Sequence, residues 1–215
     1  MFMAVVAIPE SSRVLAYVRH GEADLNLSYL YDDNPDSPHH LTERGREQAE
    51  HAGIQLRLLM AHAGIDSPDS FQTSGYYRSD ETAVIIARHV GGRLSVSDLL
   101  RERGLGKLNG KHGNEVSKSW KSEAKKYGAE EFEELKGRAR RFADGLPSGF
   151  NIAVTHRDVI TAAMADILGR SDEPKFLKEN PTPNCSITLI DYTKRELLLR
   201  AAEDVTGSAE AGASA

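Results

Sequence analysis

Residues 17–26 read Tyr-Val-Arg-His-Gly-Glu-Ala-Asp-Leu-Asn (YVRHGEADLN). The stretch starts inside a short β-prone run, Val14 to Val18 (VLAYV), and leaves it through an arginine, a histidine and a glycine. The run reads as a buried strand. Its end has two readings. It is a strand terminus capped by solvated charges, or it is a phosphate site with a nucleophile in it.

The surroundings bear on the choice. A loop rich in Asp, Asn and Pro is expected from Asn26 to His40, because Asn34-Pro35-Asp36-Ser37-Pro38 excludes regular structure. A helix then opens at Thr42, an N-cap residue type followed by Glu43 in the first turn. Ala49, Ala52, Leu56, Leu59 and Ala63 recur at helical spacing as its buried face. Further along, Ser70 to Thr73 is a short strand candidate and Arg78 to Val90 a helix. Phe132, Leu135, Ala139 and Phe142 share one helical face, Asn151 to Thr155 (NIAVT) is a strand and Val159 to Leu168 a helix. Ser186 to Tyr192 and Glu196 to Arg200 read as strands joined by a turn.

Strands alternating with helices predict an α/β fold, a three-layer α/β/α sandwich around a mainly parallel sheet. In such sheets ligands sit beyond the carboxyl ends of the strands. Arg19-His20 follow the first strand and His156 follows NIAVT, so one crevice is expected to hold both.

A phosphoryl site needs several cationic donors from different elements, and arginine suits it because its fork bonds two oxygens at once. Arg19 and Arg78 meet that demand, with His156 as a third donor when protonated. Among nucleophiles, no Ser stands in an elbow motif and Cys185 is not in a phosphate-loop setting. His20 is the candidate, since an imidazole is partly neutral at physiological pH and its free nitrogen can attack phosphorus. Protonating the leaving oxygen calls for a carboxylic acid. Glu102, in LLRERGLGKLNG, precedes a glycine-bearing loop and is assigned that role.

Five segments then appear in one order: RHGE with Asn26 following, LTERGREQA, TSGYYRSDETA, LRERGLGKLNG and VTHRDVI, before a closing PNCSITLIDY. Together they resemble the histidine phosphatase superfamily, also called phosphoglycerate mutase-like. The resemblance implies a phosphoglycerate mutase-like fold and a metal-independent phosphoric monoester hydrolase that needs no cofactor. In it His20 is phosphorylated on its distal ring nitrogen, while a backbone carbonyl holds the other. Arg19, Arg78 and His156 bind phosphate oxygens, Glu102 serves as acid and then base, and Asn26 is a nearby polar contact. The family usually has glycine after its second histidine, and here Arg157 stands there. It is expected either to reach substrate or to pair with Asp158 or Glu102.

The expected activity is hydrolysis of a small phosphorylated metabolite, because the segment between Glu102 and His156 is short for a mutase. Two alternatives stand beside it: a phosphoglycerate mutase-type phosphotransferase and a non-catalytic phospho-ligand binding domain. Composition agrees with a globular protein: 215 residues, 40% hydrophobic and 27% charged, bound one domain over 1–203 followed by a polar tail, 204–215, expected to be disordered. A net charge of -5 disfavours nucleic acid and anionic membranes as partners, and no apolar run approaches the roughly 20 residues of a spanning helix. The lone Cys185 and a start, MFMAVVAIPE, unlike a secretory signal point to the cytoplasm. Nothing in the residues specifies an oligomeric state. The lysine-rich stretch KSWKSEAKKYG is expected to be a solvated helix, the alternative being that Trp120 or Tyr127 lines the pocket mouth as part of a lid.

Overall fold

The computed structural model of the chain describes residues 8–9 and 11–202. The tail expected to be disordered lies outside them. In chain order the elements are β1 (Arg13–Arg19), α1 (Asp24–Leu27), α2 (Glu43–His62), β2 (Ser70–Thr73), α3 (Tyr77–Val90) and β3 (Leu94–Val96). There follow α4 (Ala124–Tyr127), α5 (Phe132–Asp144), β4 (Gly149–Thr155), α6 (Arg157–Ile167), α7 (Glu173–Glu179), β5 (Ile187–Asp191) and β6 (Glu196–Ala202).

The strands form one six-stranded sheet in the order β3-β2-β4-β1-β5-β6. β1, β2, β3 and β4 are mutually parallel, and β5 is the reversed strand, antiparallel to both β1 and β6. Strand β1 lies inside the sheet, with Val14 to Val18 buried. Its alternate residues feed two different cores. Val14, Ala16 and Val18 pack with Leu56, Ile86 and the rest of the α2–α3 layer. Leu15 and Tyr17 pack with Leu135, Phe142, Ile160 and Phe176 on the other face. Each large side chain so buried contributes about 1.5–3 kcal/mol. The expected sandwich is therefore present, with a mixed sheet in which the reversed strand lies next to the centre.

Helix α2 begins as the sequence predicts: the Thr42 Oγ1 accepts a hydrogen bond from the Gly45 N–H at 3.0 Å. Ala49, Ala52, Leu56 and Met60 form its buried face, whereas Leu59 and Ala63 are only partly covered. Three elements differ from expectation. Residues 24–27 make a helical turn, so the loop begins after Leu27. The edge strand β3 was not expected, since only three residues, mostly exposed, compose it. Helix α7, seven residues held by Phe176 under the α5–α6 layer, was also not expected.

Strand register decides what the sheet presents. Arg19 lies opposite Thr155, and Thr73 opposite Val154, so β1, β4 and β2 end within one residue of each other. His20, His156 and Ser74 leave the sheet at one edge. Among the described residues, no helix is long and apolar enough to cross a membrane.

Candidate active site

At this edge the backbone sets the first histidine. The His20 N–H donates to the Thr155 carbonyl at 2.9 Å, tying the end of β1 to β4. The ring Nδ1 lies 2.8 Å from the Gly21 carbonyl, which can only accept, so Nδ1 carries the proton. The lone pair is then on Nε2, and His20 lines a cavity of about 340 Å³. Gly21 is required by a close approach. A Cβ there would lie 2.5 Å from the Gly45 carbonyl oxygen at the start of α2. The Gly21 N–H also donates to Thr82 Oγ1 at 3.0 Å, and that hydroxyl donates to the Arg78 carbonyl at 2.7 Å. Thr82 thereby locks the histidine loop to the first turn of α3, which carries Arg78.

Two arginines face the cavity with hydrogen-bonding capacity unspent. Arg78 is 1% exposed, and its Nε and one terminal nitrogen are buried with no partner among the described residues. Its other terminal nitrogen makes only long contacts, 3.4 Å to the Asp32 carbonyl and 3.4 Å to His156 Nδ1. The Tyr76 ring supports the guanidinium from 4.6 Å. Arg19 donates to the Thr182 carbonyl at 2.7 Å, and its Nε is likewise buried without a partner. Burial, assisted by the charge of Arg157, pushes Arg19 down to about 10. Burial lowers Arg78 as well. Buried N–H donors left unpaired are costly, and an anion between them would remove that cost.

Both histidines are held neutral. Burial lowers His20 well below the ordinary imidazole range, and the charges of Arg78 and Arg19 add to it. The same two causes, burial and then Arg78, depress His156. His156 is completely covered, its ring 5.3 Å from that of His20. Because Arg78 can only donate, His156 Nδ1 accepts, and Nε2–H donates to Ser74 Oγ at 2.9 Å. His156 was expected to donate when protonated; here burial and Arg78 disfavour that form, and Nδ1 faces Arg78 as an acceptor.

Glu102 stands next to this pair, with Oε2 3.7 Å from His156 Nδ1 and Oε1 accepting the Arg103 N–H at 2.8 Å. Burial raises its pKa, and the neighbouring Asp158 carboxylate raises it further. It is thus biased toward the protonated form, as an acid requires. Asn26 lines the cavity too, but its Oδ1 is spent on the Ala23 N–H at 2.9 Å, which shapes the turn after the histidine. The stretch around Trp120 is not the solvated helix expected: Trp120 is buried and lines the cavity, as the alternative reading had it, whereas Tyr127 does not. Of the two arrangements expected for Arg157, the pairing with Asp158 is present, Nε to Oδ1 at 3.3 Å, and the residue lines the cavity.

Several positioning residues escaped the sequence. Arg138, on α5, donates to the carbonyls of Leu99 at 2.9 Å and Arg101 at 2.7 Å, bracing the segment that carries Glu102. Asn184 donates to the His20 carbonyl at 2.9 Å. Arg138 sits in no motif, and Asn184, although it belongs to the closing PNCSITLIDY segment, was given no role there; an arginine on a helix and an asparagine in a loop look like surface residues until the chain closes on them. The roof of the cavity comes from two loops zipped by backbone bonds, Tyr31 N–H to the Lys111 carbonyl at 2.9 Å and Gly113 N–H to the Tyr29 carbonyl at 2.8 Å. His39 pins the first loop by bridging Asp24 at 2.7 Å and Asp32 at 3.1 Å.

Comparison with known proteins bears on the fold and the family. A 2,3-bisphosphoglycerate-dependent phosphoglycerate mutase of Thermoplasma acidophilum is 32% identical over 201 residues, 91% of this chain and 96% of that protein. A solved structure described as mycobacterial hydrolase 1 superposes with a TM-score of 0.74 at 22% identity, covering 90% of this chain and 100% of the other. The alpha-ribazole phosphatase from Shigella flexneri does so with a TM-score of 0.67 at 22% identity, over 89% and 96%. These two likenesses show a shared fold. The model of the histidine phosphatase superfamily (branch 1) matches residues 15–205, and the chain belongs to that superfamily.

Proposed function

We propose that the protein is a phosphomonoester hydrolase that acts on a small phosphorylated metabolite through a phosphohistidine at His20. One observation carries this reading: a neutral imidazole, its Nδ1 proton spent on Gly21, lies in a cavity lined by Arg19 and Arg78, each with buried donors that lack a partner among the described residues. A dianionic phosphoryl group satisfies those donors. Its charge also supplies what His156 lacks, so that ring can take a proton and donate to phosphate once the ligand is bound.

The steps follow from the placement. His20 Nε2 attacks phosphorus, and the bond from phosphorus to the ester oxygen breaks. Glu102 gives its proton to the departing oxygen. The resulting carboxylate takes a proton from water, whose oxygen attacks the phosphohistidine. Inorganic phosphate leaves, and His20 and Glu102 return to their starting forms. Arg19 and Arg78 neutralise the phosphoryl oxygens throughout, and such positioned charge provides most of the catalysis in phosphoryl transfer. A volume of about 340 Å³ suits a small molecule.

A mutase reading is favoured by the 32% identity to the Thermoplasma enzyme. The segment between Glu102 and His156, short for a mutase, supports hydrolysis instead, since a mutase must retain its doubly phosphorylated intermediate between half-reactions. Rapid-quench labelling with a chromogenic phosphate ester tests the common step: an acid-labile phosphoenzyme is expected, absent in His20→Ala. No label and no turnover would leave a phospho-ligand binding domain. Supplying 3-phosphoglycerate and finding isomerisation faster than phosphate release would replace the hydrolase with the mutase.

A further inference from the structure

Arg19 and Arg78 account for a transferred phosphoryl group; of the two other arginines at the cavity, Arg103 is held by the Glu130 carbonyl and Glu173, and Arg157 is left without a purpose. Arg157 lines the same space, and its side chain is 46% exposed. Its Nε is bonded to Asp158, and its two terminal nitrogens make no hydrogen bond among the described residues.

Stability does not explain the residue. A cation in the first turn of α6 opposes the helix dipole, which Asp158 already complements. Asp158 also has partners besides Arg157. The Lys121 ammonium is bonded to Asp158 Oδ2, and Arg103 lies 3.8 Å from the same oxygen. Burial alone would raise the Asp158 carboxyl, yet Lys121 and then Arg157 hold it well below the carboxylate range. Glu173 completes the cluster, 2.5 Å from Arg103 and 3.3 Å from Lys121. Three cations thus meet two carboxylates, and the surplus positive charge is the one open to the cavity. Tyr31 adds a donor beside it: its hydroxyl accepts from Trp120 Nε1 at 3.3 Å and keeps its own proton for a ligand.

We infer that Arg157 is a specificity-determining residue, and that the alcohol portion of the substrate carries a second anionic group, a carboxylate or a phosphate, bonded by the Arg157 terminal nitrogens and the Tyr31 hydroxyl. The assignment rests on the phosphohistidine reading, which places the first phosphate between Arg19 and Arg78. A guanidinium fork matches either anion through paired charge-assisted bonds.

Binding of ligands that cannot turn over isolates the second contact. Three propyl phosphonates are compared by calorimetry, ending in a hydroxyl, a carboxylate and a second phosphonate. At least one of the anionic ends should bind about tenfold tighter than the hydroxyl end. In Arg157→Gln that preference should shrink to about threefold or less, with Arg157→Lys retaining part of it. The ratio between the carboxylate and bisphosphonate arms tells which anion the pocket takes. Equal affinities in the unmodified protein, or a preference that survives Arg157→Gln, would overturn the inference. The phosphohistidine reading fails by a different sign, loss of the His20 label, so the two are judged separately.

Discussion

Replacing Arg78 by methionine should separate catalysis from stability. Methionine roughly conserves the length of the side chain, so the change removes charge and donors while leaving little empty space. In the ligand-free protein Arg78 contributes little: its Nε and one terminal nitrogen are buried without partners, and its remaining contacts are long, at 3.4 Å. The cation-π contact with Tyr76 returns at most about 2 kcal/mol, set against the burial of a charge that is 1% exposed. Unfolding free energy should therefore stay within about 1 kcal/mol of the parent, or rise. Catalysis has much more to lose. Two charge-assisted bonds to phosphoryl oxygens, each about 1.5–3 kcal/mol, amount to about 3–6 kcal/mol. That corresponds to about 10²–10⁴ in kcat/KM. Denaturant melts and initial rates on a chromogenic phosphate ester measure the two quantities side by side. A loss of stability above about 3 kcal/mol, or a rate within about tenfold of the parent, would refute the view that these donors are held in reserve for phosphate.

Stability should fall on acidification between pH 6.5 and 5. His20 and His156 are depressed in the fold, first by burial, so the unfolded chain binds protons that the native state refuses. Each such group costs up to about 1.4 kcal/mol per pH unit below its unfolded pKa of about 6.5. In His156→Gln the slope should drop by about that amount, and an unchanged slope in denaturant midpoints would count against a neutral His156. Glu102→Gln should slow phosphoenzyme formation most for esters with poor leaving groups, because a good leaving group needs no proton; equal slowing across an ester series would remove Glu102 from the acid role. Gly21→Ala should cost about 1–3 kcal/mol of stability, since its Cβ meets backbone rather than a yielding side chain, and should lower activity by displacing His20. A stable, fully active alanine variant would contradict the close approach to Gly45.

The alternation of apolar runs with helical periods determined the α/β class, and the residues at the ends of those runs marked the chemistry. Local patterning suffices for this because side-chain period and strand ends are properties of consecutive residues. Thr42 and the α2 face were legible for the same reason. The edge strand β3 was not, because Leu94–Val96 is a strand only by virtue of pairing with β2. Protonation was equally hidden. Whether His156 is a cation or a neutral acceptor depends on desolvation and on Arg78, 78 positions away along the chain. The same holds for Arg157: its surplus charge appears only once α7 brings Glu173 to Arg103 and Lys121 reaches Asp158. Sequence order told which side chains leave the sheet together; burial and long-range charge, which exist only in the folded chain, decided what each of them can do there.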